Sequence, residues 1–450
     1  MSFPVYPEYK DSGAEWLGEI PQHWKIFLAK RLFRNARDTA QSGSEQLAAT
    51  QAYGVIPQKD FMEKNDVKVV LALAGTQNFK GVLADDFVIS LRSFQGGIEH
   101  SAYDGCVSPA YTVLRRNTKN DVYPGLFKYL LKEDAYISAL QSVTTGIREG
   151  KTITYDQFGS LLLPVAASSE QIQIARFLDH ETARIDALIE EQQSLIELLK
   201  EKRQAVISHA VNKGLDPSVQ MKDSGVDCLG EVPAHWDVSR LKYHSTRIGD
   251  GLHSTPEYDD AGDYFFINGN NLAGGVITIS PTTRQVNRQE FLKHRVLLDS
   301  STVLISINGT IGNLALYSGE PVILGKSAAY INCTESLSPR FCLYLFSSEQ
   351  IKRFFESQLT GTTIYNLSLR TIAETPTPLP SIDEQNSIVE FLNRNVSGFD
   401  ELIDNAMKLA QLLEERRSAL ISAAVTGKID VRGWQPPVSV PSPVLEAEAV

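Results

Sequence analysis

Residues 170–211 read EQIQIARFLDHETARIDALIEEQQSLIELLKEKRQAVISHAV, and residues 384–425 read EQNSIVEFLNRNVSGFDELIDNAMKLAQLLEERRSALISAAV. With a shift of 214 and no gap, 18 of the 42 positions are identical, among them Glu170/Glu384, Gln171/Gln385, Asp186/Asp400, Arg203/Arg417 and Ser208/Ser422. A shorter repeat opens each half. Residues 10–24 (KDSGAEWLGEIPQHW) match residues 222–236 (KDSGVDCLGEVPAHW) at 10 of 15 positions, with a shift of 212. Two shifts this close mean that one unit of about 210 residues is written twice.

The long stretch has a helical period. Leu188, Leu195, Leu199 and Val206 recur in step with Leu402, Leu409, Leu413 and Leu420, and Ile189, Ile196 and Ile403 widen the stripe. Spacings of three, four and seven are those of a coiled-coil seam. Ser169 and Asp383 are capping residues before helix formers, and Gly214 and Gly427 stand where a helix end is expected. Residues 186–211 alone predict a rod of roughly 39 Å at 1.5 Å per residue. An apolar stripe on one side makes each helix a poor solitary element, and the other copy is the natural partner. The expectation is an antiparallel pair related by an approximate two-fold axis, with globular domains at opposite ends. The competing reading packs each helix on its own domain.

The repeat divides the chain into a first globular domain at 1–163, a first helical region at 164–214, a second domain at 215–379 and a second helical region at 380–430. A tail at 431–450, rich in Pro and small residues, is expected to be disordered. Inside the domains, short runs at 67–74, 87–91, 111–114, 303–307 and 330–332 read as buried strands between turns. Residues 124–132 and 339–347 read as corresponding helices with Pro in the first turn. The fold class is α+β (mixed α/β): two similar frames around centres that diverge strongly in sequence.

Composition bounds the function. A chain of 450 residues with 42% hydrophobic content has no apolar run of the roughly 18–20 residues that a membrane span needs. Its first residues lack a signal-peptide pattern, and Cys106, Cys228, Cys333 and Cys342 are scattered without CxxC, so a cytoplasmic protein without disulfides or zinc is expected. The net charge of −11 argues against nucleic acid only on average, because the two helical stretches supply −6 of it.

A search for catalytic motifs finds none. Residues 319–327 (GEPVILGKS) end like a phosphate loop but carry one residue too many between the glycines, and a strand and turn fits them better. His253 with Asp259 and Asp260 fits no standard metal-ligand spacing. What stands out is a series of polar, Gly-containing loops in the divergent centres. The first domain offers Arg92, Gln95, Gly96 and Gly97, then Thr145, Arg148 and Lys151. The second offers His253, Ser254 and Thr255, then Asn268, Asn270 and Asn271, then Asn308 and Thr310, and finally Thr362 and Thr363. Side chains of these types read base edges, and Lys or backbone amides beside Gly hold phosphates. Each such loop is also compatible with a plain turn.

These features together resemble the specificity subunit of type I restriction–modification systems over nearly the whole chain to about residue 430. The resemblance rests on the paired KDSG…LGE-P-HW openings, the paired EQ…F-L…D-LI helical regions, and the segments 54–58 (GVIPQ), 107–111 (VSPAY) and 309–312 (GTIG). It implies a non-catalytic subunit with two target-recognition domains, each reading half of a split asymmetric site in double-stranded DNA. It also implies a spacer of two helices that docks two methyltransferase subunits. S-adenosylmethionine, and ATP with Mg for separate motor-nuclease subunits, would sit on those partners, with no cofactor in this chain. The second domain departs in having uncharged residues 361–363 where the first has Arg148 and Lys151. A methylation-only complex and a two-domain protein-binding scaffold are the alternatives.

Overall fold

Strand order repeats between the two halves of the computed structural model, which describes residues 3–65, 78–91, 93–119, 121–144, 153–359 and 365–437. The chain forms two units: Met1–Glu191 with Leu409–Val450, and Gln192–Lys408. This differs from the linear division expected from the repeat, because a part of each helical region belongs to each unit.

In the first unit, β1 (Phe33–Ala36), β2 (Phe87–Ile89), β3 (Glu99–His100) and β4 (Thr112–Arg116) form an antiparallel sheet in the order β1-β4-β2-β3. Alternate residues face opposite sides. Phe33, Phe87 and Leu114 join a core with Phe127 of helix α1 (Pro124–Leu130), while Ala36, Val88 and Val113 face Leu47, Val55 and Val107. Aromatic edges meet at 5.4–5.5 Å around Phe33.

The second unit places β5 (Ser245–Asp250), β7 (Thr302–Ser306), β8 (Leu314–Leu316) and β10 (Ala328–Cys333) in the order β5-β10-β7-β8. The first strand again lies beside the last. Beside this sheet, β6 (Tyr264–Ile267) runs parallel to β9 (Val322–Leu324). Val303, Ile305 and Ile331 pack toward Phe341 and Leu345 of helix α2 (Pro339–Ser347), and Leu304 and Tyr330 toward Ile267 and Val322. The segment 319–327 is strand β9 followed by a turn. Residues 67–74 lie outside the described residues.

The helical regions are single α-helices, Ser168–Lys213 and Ile382–Val425, and glycines at φ +76° (Gly214) and +75° (Gly427) follow them. In the first unit Asp186 accepts from Arg417 Nε at 2.7 Å, while Gln173 reaches the carbonyls of Val431 and Trp434. In the second, Asp400 accepts from Arg203 Nε at 2.8 Å, while Glu384 lies beside Gly214. Low numbers on one helix meet high numbers on the other, so the segments run antiparallel within each unit. The two ion pairs are repeat images of each other in sequence. Each core is completed by the other copy's helix end: Ala424 and Val425 in the first, Ile207, Ala210 and Val211 in the second.

The seam differs from the expected row. Ile185, Ile196, Leu199 and Ala406 are buried, whereas Leu188, Val206, Leu413 and Leu420 are half-buried. Leu195 (41%), Leu402 (53%) and Leu409 (45%) are exposed. A straight helix drifts about 20° per heptad against a strict seven-residue repeat, so the row carrying most leucines is not the row that faces the partner.

The tail also departs from expectation. Val431 is buried in the first core, the Trp434 ring lies 5.2 Å from Phe177, and the Asp430 amide donates to Pro4 O at 2.7 Å. Apolar anchors outweigh the Pro-rich composition as far as Trp434. Residues 438–450 lie outside the described residues.

The two sequence repeats meet in each unit. Glu170, at the helix start, accepts from Trp24 Nε1 (3.0 Å) and Tyr6 Oη (2.7 Å) and pairs with His23 Nε2 (2.8 Å). Glu384 does the same with Trp236 (3.0 Å) and His235 (3.0 Å). Next to them, Gln171 and Gln385 each accept one backbone amide and donate to two carbonyls. The HW and EQ dipeptides thus form one latch that fixes the helix start on its domain. Glu170→Ala leaves two buried donors without an acceptor, at about 1–3 kcal/mol each. Urea unfolding should show that loss, and an unchanged midpoint would refute the latch.

Candidate nucleic-acid interface

Five polar segments of the second unit converge on one edge of its sheet. The register places the end of β5 and the end of β7 beside the start of β10, with Asp250 opposite Ala329 and Ser306 opposite Ala328. The ends of β6 and β9 are neighbours, Ile267 opposite Leu324. Residues 251–255, 268–271, 307–313, 325–327 and 366 therefore emerge together. Hydrogen bonds tie them: Leu252 N to Leu324 O (2.7 Å), Gly269 N to Ser327 Oγ (2.9 Å), Ile307 N to Ser327 O (2.9 Å) and Asn308 Nδ2 to Lys326 O (3.2 Å). Asn308 also bridges to Asn366.

The predicted residues split into two groups. Asn268, Asn271 and Asn308 are half-buried and hold the cluster: Asn268 Oδ1 accepts from Ser327 Oγ, and Asn271 donates to Thr278 O while accepting from Asn268 N. His253, Ser254, Thr255, Asn270 and Thr310 are exposed on its outside. The His253 imidazole lies 2.8 Å from Asp250. Thr362 and Thr363 lie outside the described residues. Lys326, exposed at the same edge, was missed although the sequence flags it: it is the lysine of the GKS turn rejected as a nucleotide cradle.

The first unit has the same edge by topology. Residues 37–39 leave β1, residues 90, 91 and 93–97 follow β2, and residues 108–111 lead into β4, with Val113 opposite Ala36 and Thr112 opposite Ile89. Arg37 is exposed, and Lys80 bridges to Thr39 and donates from its ammonium to the Tyr111 carbonyl. Burial, and then the Arg37 charge, push the Lys80 ammonium below its ordinary pKa. Two cations with no carboxylate partner among the described residues attract an anion. Beside them Arg115 is already neutralised by Asp86 and Asp38, each at 2.6 Å. Arg37 and Lys80 were not singled out from sequence, because neither sits beside Gly and only folding brings them together. Gln95 and Gly96 lie in the turn Ser93–Gly96, and Gly97 takes φ +84° where the chain passes the Leu131 carbonyl, so packing accounts for that glycine. Arg92, Thr145, Arg148 and Lys151 lie outside the described residues. No group of three or more His, Cys, Asp or Glu suited to a metal occurs among the described residues, and no described helix is long and apolar enough to cross a membrane.

Residues 236–412 match the family described as the type I restriction modification DNA specificity domain. The chain is 21% identical, over 92% of its length and 96% of the relative's, to the putative type I restriction enzyme MjaX specificity subunit of Methanocaldococcus jannaschii. It is 25% identical to the MjaVIII specificity subunit of the same organism, over 71% of this chain and 74% of that one. Over most of its length the chain is similar to specificity subunits of type I restriction enzymes. Its fold is that of a chain solved in a study of complex assembly and conformational transition of the type I R-M system, with TM-score 0.68, 15% identity, and 90% and 98% of the two chains covered. The HsdS subunit from Thermoanaerobacter tengcongensis superposes at TM-score 0.51 with 15% identity, covering 91% and 98%. The loop edge of the second unit falls inside the residues that match the DNA specificity domain.

Proposed function

We propose that this chain is a specificity subunit that recognises a bipartite, asymmetric DNA site, one half-site per globular domain, and directs adenine methylation and restriction by its partners. One observation carries the reading: the same strand ends in both units bear polar loops of unrelated sequence on a frame repeated in topology. A repeated frame with unlike loops suits two readers of unlike half-sites. The long helices, 46 and 44 residues, are stiff enough to set a fixed gap, and linking two readers raises the effective concentration of the second. Two methyltransferase subunits would carry S-adenosylmethionine and flip the target adenine, and motor-nuclease subunits would use ATP and Mg, all in the cytoplasm. Exposed apolar residues related by the repeat, Leu195 and Leu198 in one unit and Leu409 and Leu412 in the other, supply two like docking patches for two like partners.

Co-expression with the methyltransferase and base-resolution mapping of methylated adenine should give one split motif with a fixed gap. A continuous motif would sink the reading. For the first domain, Arg37→Ala and Lys80→Ala should each weaken binding to all sequences alike and lower the salt slope by about one. A titration series against salt checks this, and a change of motif instead would move these residues from phosphates to bases.

A further inference from the structure

We propose that His253 reads a base as a fixed hydrogen-bond acceptor and that Asp250 is the positioning residue that sets its tautomer; this rests on the second domain being a DNA reader. Asp250 ends β5, its backbone pinned opposite Ala329, and its Oδ2 lies 2.8 Å from His253 Nε2. An ionised carboxylate offers lone pairs only, so Nε2 carries the proton and donates it. In the neutral imidazole Nδ1 is then bare, an acceptor. The ring itself is 72% exposed, against 24% for the aspartate behind it.

The loop that carries the ring is locked in place. A Cβ on Gly251 would lie 2.1 Å from Leu324 O, so only glycine lets the two backbones approach this closely, and the Leu252 amide donates to that same carbonyl. Such a loop meets DNA without reorganising, which makes an acceptor at a fixed point a selective element. Its neighbours are less selective. Ser254, Thr255, Asn270 and Thr310 each both donate and accept, and Lys326 only donates. In the major groove an acceptor is satisfied by the exocyclic amine of adenine or cytosine, whereas guanine and thymine set lone pairs of O6, N7 or O4 against it. The carboxylate behind the ring disfavours a phosphate at this point, which turns His253 toward base edges.

Methylation mapping at pH 8 with the intact methyltransferase complex tests this. Exchange of residues 236–379 first identifies the half-site read by the second domain. In the unaltered subunit, one strongly specified position of that half-site should be adenine or cytosine. His253→Ala should relax that one position by roughly tenfold and leave the others unchanged. Asp250→Asn, whose amide can donate to Nε2 and release the other tautomer, should admit guanine or thymine at the same position. Because the His253 ring is exposed, His253→Ala tests the idea even if Asp250→Asn disturbs the fold. An unchanged motif in His253→Ala overturns the proposal, as does an equal loss of methylation at all sites with the complex intact. A motif that does not respond to exchange of the whole domain is a different failure, that of the domain as a reader.

Discussion

Replacing Leu195 and Leu198 by aspartate should leave a complex with one methyltransferase subunit in place of the two proposed for the unaltered chain. Both leucines stand out from the first long helix, 41% and 47% exposed, while Ile196 between them is buried in the seam. Their repeat images Leu409 and Leu412 are 45% and 60% exposed. Side chains of this size left open on a packed helix mark an interaction surface when they recur in register. Removing two central apolar anchors and driving two carboxylates into an apolar interface costs about 4 kcal/mol or more, roughly a thousandfold in Kd. Native mass spectrometry of the co-purified complex reads the stoichiometry directly. Substitution of Leu409 and Leu412 should remove the other copy, and all four substitutions together should leave the specificity subunit alone. Since none of the four is in a core, melting temperature should stay within a few degrees. Two retained methyltransferase copies in the Leu195/Leu198 variant would place the docking surface elsewhere.

What could be read in the sequence follows from what repeats along it. The helices, their terminal glycines, the paired openings and the strands at 87–91, 111–114, 303–307 and 330–332 are local patterns, and they are found where expected. The loops of the second domain were also legible as candidates, since Asn, Gly and Thr cluster where strands end. What was hidden depends on residues distant in sequence. The Leu195–Leu402–Leu409 row looks like a seam because leucine is apolar, yet the residues that become buried are Ile196, Leu199 and Ala406. Arg37 and Lys80 are 43 positions apart and become a pair only through the Thr39–Lys80 bridge. The latch was visible as a repeated HW and a repeated EQ, but nothing local says that Trp24 donates to Glu170.

A fragment of residues 215–437 should form a symmetric dimer that, with methyltransferase, modifies a palindromic split motif instead of the asymmetric one proposed for the full chain. The second domain's core is closed by Ile207, Ala210 and Val211 from the first repeat's helix end. The second repeat carries the same residues at the matching positions, Ile421, Ala424 and Val425. The ion pair recurs in the same way. Asp400 pairs with Arg203 in the full chain, and Arg417 is its repeat image, so two fragments can exchange Asp400–Arg417 pairs reciprocally. Each fragment thus supplies what its copy lacks, and a two-fold dimer closes with no open surface left to propagate. Three hydrogen bonds lose their amide partner in the dimer, because Ser418 and Thr426 stand at the places of Gln204, which donates to Ser347 O (2.8 Å) and accepts from Lys352 Nζ (3.0 Å), and Asn212, which donates to Gln350 Oε1 (3.0 Å). Their omission costs about 1 kcal/mol each, small against a core of this size. Sedimentation gives the dimer, and methylation mapping gives the motif. A folded monomer would show that the second unit closes without a borrowed helix end, and an asymmetric motif from the dimer would break the link between each domain and its half-site.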